Sequence, residues 1–174
     1  MNKSYLLTSF ISILLLTFFF QHQSWCQPAE NSENYTVQVA SFPIADSAKA
    51  LEAYHQLKEQ NYFVFLQRAW IKDRGSWLRV QVGYFDDYSA AKRFAQEFQE
   101  KEQREYFIAK TQLTVAQHDS GFSVIHTPSA IWYHDASGFR EIFDLTRSLV
   151  NRRIEGEYST PSISPDGQYV LFEY

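Results

Sequence analysis

Two stretches decide the fold: YTVQVASF at Tyr35–Phe42 and WLRVQVGYF at Trp77–Phe85. Val37-Gln38-Val39-Ala40-Ser41-Phe42 lines up with Val80-Gln81-Val82-Gly83-Tyr84-Phe85, so the chain repeats one pattern internally. In both copies apolar and polar residues alternate, which predicts a strand with one buried face. The period then changes. Ser47, Ala50, Leu51 and Tyr54 recur at i, i+3, i+4 and i+7, and so do Ala91, Phe94, Ala95 and Phe98, which predicts a helix after each strand. Asp46 or Ser47 and Ser89 are candidate N-caps, because a side-chain oxygen there satisfies free backbone N–H groups, and the Asp86-Asp87 pair before the second helix is placed to help cap it and complement its dipole. Each copy closes on an aromatic strand, Tyr62-Phe63-Val64 and Tyr106-Phe107-Ile108, and Asp73-Arg74-Gly75-Ser76 reads as the turn joining the halves.

Strand–helix–strand, twice, predicts an α+β fold: a four-stranded antiparallel sheet with both helices on one face and the other face open. If Val37, Val39, Leu78, Val80 and Val82 point at the helices, then Thr36, Gln38, Trp77, Arg79 and Gln81 point at the open face. A Trp ring beside amides and a guanidinium suits a flat polar ligand, with an apolar platform flanked by hydrogen-bonding groups.

These residues resemble the SPOR domain family from Tyr35 to about Lys110. The resemblance rests on the two quoted stretches, the Ala- and Leu-bearing helix after the first, and SAAKRFAQEF after the second. It implies a ferredoxin-like βαββαβ fold that binds peptidoglycan glycan strands, preferentially those stripped of stem peptides, without catalysis. The family's glycan face implies roles for Gln38 and Ser41 on the first strand and Trp77 on the third, with Tyr106 or Phe107 on the last. Gln38 and Ser41 stand an odd number apart, so they share a face only if the strand ends or bulges between them. Family members often carry Tyr where this chain has Leu78. The expected glycan-binding set is Gln38, Ser41, Trp77, Arg79, Gln81 and Phe107.

Around this module (35–110) the sequence reads as a set of segments. Lys3 followed by the apolar run Tyr5–Phe20 is too short for a span of about 20 residues and fits a signal peptide over 1–26, cut before Gln27. The alternatives are an uncleaved anchor or a lipoprotein acylated at Cys26, against which stands the bulky Trp25. Cys26 is the sole cysteine, so cleavage after it leaves no disulfide and no thiolate chemistry. Residues 27–34 and 111–122 are polar and read as linkers. Residues 123–174 look β-rich, with strand candidates at Ser123–Ile125, Ala130–Tyr133 and Glu141–Leu145, and turns at Asp135–Gly138 and Pro165-Asp166-Gly167. SISPDGQYVLF resembles the repeat of TolB-like, WD-repeat-related β-propellers, which implies a partial blade.

Composition narrows the function. The net charge is −4, and Tyr35–Lys110 holds eleven Lys and Arg against ten Asp and Glu, which offers little to a phosphate backbone. An RNA-recognition sheet is therefore disfavoured, although exposed aromatics on βαββαβ also describe one. His22, His55, His118, His126 and His134 make no metal-ligand spacing, and no nucleophile elbow, P-loop or paired acid and base is present, so no cofactor, metal or hydrolase is expected. The expectation is an exported, non-catalytic protein of the periplasm or cell envelope whose partner is the glycan strand. The alternative is a protein partner engaged by the C-terminal region, with the first module as locator.

Overall fold

The structure, a computed structural model, describes residues 34–151 and 161–171. The signal-peptide segment, most of the 27–34 linker and Phe172, the last residue of the SISPDGQYVLF run, lie outside the described residues.

The first unit runs β1 (Asn34–Pro43), a short 3-10 turn (Ile44–Asp46), α1 (Ser47–Glu59), β2 (Val64–Ile71), β3 (Gly75–Phe85), α2 (Tyr88–Glu102) and β4 (Phe107–Thr111). The strands form one antiparallel sheet in the order β2-β3-β1-β4. Ala50, Tyr54 and Leu57 of α1 and Phe98 of α2 pack with Val64, Leu66, Leu78, Val80 and Val82, so both helices sit on one face, as the two periods require. Helix α2 is capped by Asp87, whose carboxylate accepts from the Ala90 N–H at 2.8 Å. Ser89, one of the expected caps, is instead the second residue of the helix, because a carboxylate two residues upstream already meets the free N–H groups. Asp46 flanks α1 without a side-chain cap bond.

The second unit begins earlier than expected. Thr114–Gln117, inside the presumed 111–122 linker, is β5. It pairs with β6 (Ser123–Thr127), which pairs with β7 (Ala130–Asp135) and then β8 (Gly138–Asp144), an antiparallel meander in the order β5-β6-β7-β8. Four residues are too few for alternation to stand out between polar neighbours, and pairing rather than pattern makes this strand. A short helix α3 (Thr146–Asn151) follows, then a hairpin of β9 (Ser162–Ile163) and β10 (Val170–Leu171). Between them the Ser164 carbonyl accepts from the Gly167 N–H at 2.8 Å, with Gly167 at φ +70°, so the turn at Pro165-Asp166-Gly167 forms where the sequence places it. Ile163 seats the hairpin on Ala116, Val124, Ile131 and Leu145. No helix among the described residues is long and apolar enough to cross a membrane.

Candidate functional site

The sheet face opposite the helices carries the candidate site, and register defines it, because residues directly opposite one another across a sheet share a face. One row runs Phe107–Gln38–Gln81–Phe65 from β4 to β2. The next is Ser41–Arg79–Gln67, and the third Pro43–Trp77–Ala69. The pairing of β1 with β3 shifts between Gln38 and Ala40. That one-residue bulge brings Ser41 onto the face of Gln38 despite their odd spacing. The fold thus brings all six expected residues, Gln38, Ser41, Trp77, Arg79, Gln81 and Phe107, onto one face.

The face is not uniformly open. Phe65 and Gln81 are fully buried, and so is Thr36, whose hydroxyl donates to the Val82 carbonyl at 3.3 Å. The cover is the second unit. Phe63 and Phe65 cluster with Ile125, Ala130 and Trp132, and Tyr84, Leu113 and Val115 pack at the margin. Phe63 meets the Trp132 ring edge-on at 5.1 Å between centroids. The expectation that Thr36 and Gln81 are exposed is therefore corrected. Alternation assigns a residue to a face, but only a distant segment decides whether that face meets water.

Tyr84 reaches the covered corner because Gly83, at φ +76°, breaks the alternation before Phe85. A Cβ on Gly83 would also lie 2.4 Å from the Phe85 ring. Burial and then the charge of Asp86 push the Tyr84 phenol above its ordinary range, opposed by a hydrogen bond with Asn34.

Gln81 is buried with neither its amide nitrogen nor its amide oxygen paired among the described residues. It belongs to the covered half of the face.

What stays accessible is the strip toward β4 and the β2–β3 hairpin. Phe107 is 65% exposed, while Gln38, Ser41, Trp77, Arg79 and Gln67 are half-buried. The register also separates the two aromatics of the last strand: Phe107 stands opposite Gln38, whereas Tyr106 precedes β4. The Trp77 indole N–H donates to the Arg74 carbonyl at 3.3 Å, so the turn holds its edge and leaves the ring as a stacking surface. Among the described residues Arg79 has no ion-pair partner, which leaves its guanidinium beside Ser41 and Trp77 for an oxygen-rich ligand. Gln67 completes this strip. Its place could have been found only from the pairing of β2 with β3, which the sequence does not display.

Among the described residues no three His, Cys, Asp or Glu side chains converge on a metal-sized site. The amides, hydroxyl, guanidinium and aromatic rings of the strip can hydrogen-bond and stack.

Residues 31–109 match the family model for the SPOR domain, a span that contains the whole sheet face except Lys110 and Thr111 at the end of β4. No curated protein and no solved structure matches. SPOR domains are binding domains, generally for peptidoglycan.

Proposed function

We propose that the exposed strip binds peptidoglycan glycan strands without catalysis and so locates an exported envelope protein at the cell wall or division site. One observation carries the reading: within the SPOR-matching segment, Gln38, Ser41, Trp77, Arg79 and Phe107 share one accessible face. Trp77 and Phe107 supply apolar platforms for sugar rings, and Gln38, Ser41 and Arg79 supply donors and acceptors for hydroxyl and carboxylate oxygens. Gln81 supports this surface from beneath the second unit and makes no direct contact. The strip is therefore narrower than the full sheet.

Retention on amidase-treated sacculi tests the proposal. The double variant Gln38→Ala, Trp77→Ala is expected to lose about tenfold or more in retention, since buried stacking and hydrogen-bonding anchors are each worth more than about 1 kcal/mol. A double variant retained as well as the parent puts the binding surface elsewhere.

The up-and-down order of β5–β8 and the Pro165-Asp166-Gly167 turn support the propeller-like reading of the second unit. Its exposed Tyr169 and Leu171 favour a protein partner there. Tyr169→Ser with Leu171→Ser would then lose that partner and keep sacculus retention; unchanged partner recovery eliminates the second reading.

A further inference from the structure

The β2–β3 hairpin stands apart from the rest of the chain in charge, and its tip carries an exposed Trp. Val64–Phe85 holds four cations, Arg68, Lys72, Arg74 and Arg79, and one carboxylate, Asp73, whereas the rest of the chain holds twelve cations against nineteen carboxylates. At this tip Trp70 is 71% exposed, among the most exposed large apolar side chains of the described residues. Trp70 pairs with Ser76 and Ile71 with Gly75, so Trp70 projects on the helix side of the sheet, past the helices' reach, while Trp77 projects on the other.

We infer that this hairpin tip docks on the anionic headgroup surface of a phospholipid bilayer. A Trp indole favours the boundary between hydrocarbon and water, and clustered Lys and Arg are drawn to anionic lipid. Shape separates this from the glycan reading, on which it does not depend. A polymer strand lying on the sheet's far face reaches Trp77 but not Trp70, which points the opposite way. A tip with Trp70 exposed and the cations Lys72 and Arg74 exposed at its turn fits a surface that it can enter. The protein then spans the gap between bilayer and wall, tip on one and strip on the other.

The test is flotation of the full chain with vesicles of equal parts phosphatidylglycerol and phosphatidylcholine, and with vesicles of phosphatidylcholine alone. The apolar run Tyr5–Phe20 is common to both measurements, so the difference between the two compositions is the readout. The parent is expected to prefer the anionic vesicles by about tenfold or more. Trp70→Ala should reduce that preference with retention on sacculi unchanged, and Lys72→Glu with Arg74→Glu should abolish it. Equal partition of the parent between the two compositions overturns the inference. So does a Trp70→Ala variant that keeps the anionic preference. A fall in sacculus retention on Trp70→Ala also overturns it, by assigning Trp70 to a wall polymer.

Discussion

Gln81 carries a fully buried side-chain amide on a central strand of the first sheet. Its amide lies on the far face in line with Gln38 and Phe107, yet it is sealed from water under the second unit. A buried polar group without a partner carries a desolvation penalty of about 1–3 kcal/mol. Gln81→Met keeps the volume and removes that penalty, so it is expected to raise stability by about 1 kcal/mol or more, read from urea unfolding, with sacculus retention unchanged. A loss of retention would show that Gln81 reaches the ligand. Tyr54 is the second residue whose environment matters. Its hydroxyl donates to one Glu141 oxygen at 2.5 Å while Lys58 donates to the other at 2.6 Å. Burial first, then the hydrogen bond with Glu141 and the charges of Glu141 and Asp144, raise the phenol far above its usual 10.0. The folded state therefore keeps a proton that the unfolded chain releases near pH 10, so this contribution is intact at neutral pH and fades as pH rises through that value. Tyr54→Phe should flatten the alkaline limb of the stability–pH curve; an unchanged limb would assign it to other groups.

At the scale of elements, β2 is an edge strand of the first sheet, and an edge exposes unpaired backbone groups that invite another chain. Here the Ser129 hydroxyl accepts from the Leu66 N–H at 2.8 Å. Ser129 sits in the β6–β7 turn, fully buried, where the Thr127 hydroxyl also bonds the Ala130 N–H at 3.0 Å. Ser129→Ala leaves the Leu66 N–H buried without this acceptor and is expected to cost about 1–3 kcal/mol. The check is chemical denaturation together with hydrogen exchange at Leu66. Exchange there that is no faster than in the parent would mean that the edge is protected by something other than this hydroxyl.

Across the whole molecule the second unit grips the β2 edge from three directions. Trp132 packs on Phe63 over the far face, Ser129 meets the edge itself, and Glu141 holds Tyr54 and Lys58 on the helix side, where Leu149 of α3 joins the core of the first unit. Elements tied this way should unfold together. Trp132→Ala is expected to destabilise by about 3–5 kcal/mol, as for other large truncations in a core. It should also shift one shared transition, seen alike by far-ultraviolet circular dichroism and by aromatic signals. Two separated transitions in the parent would show instead that the units are independent.

The chain by itself determined the first unit. The duplicated VQV strands, the change of period into the helices and the Asp73–Ser76 turn are local signals, written in neighbouring side chains, and they place both helices on one face. They also assign Gln38, Trp77 and Arg79 to the opposite one. The condition on Ser41, that the strand must bulge, was legible too, although the bulge itself is a matter of register with β3. How much of that face meets water follows instead from packing between distant segments. Leu113, Val115, Ile125 and Trp132 lie at least 29 positions beyond Tyr84 and Gln81, and their packing on Phe65 follows from the way the meander folds back on the β2 edge. That long-range packing narrowed an open sheet to the strip running from Phe107 to Trp77. Alternation along a strand says which way a side chain points, and only the partner across the interface says what it finds there.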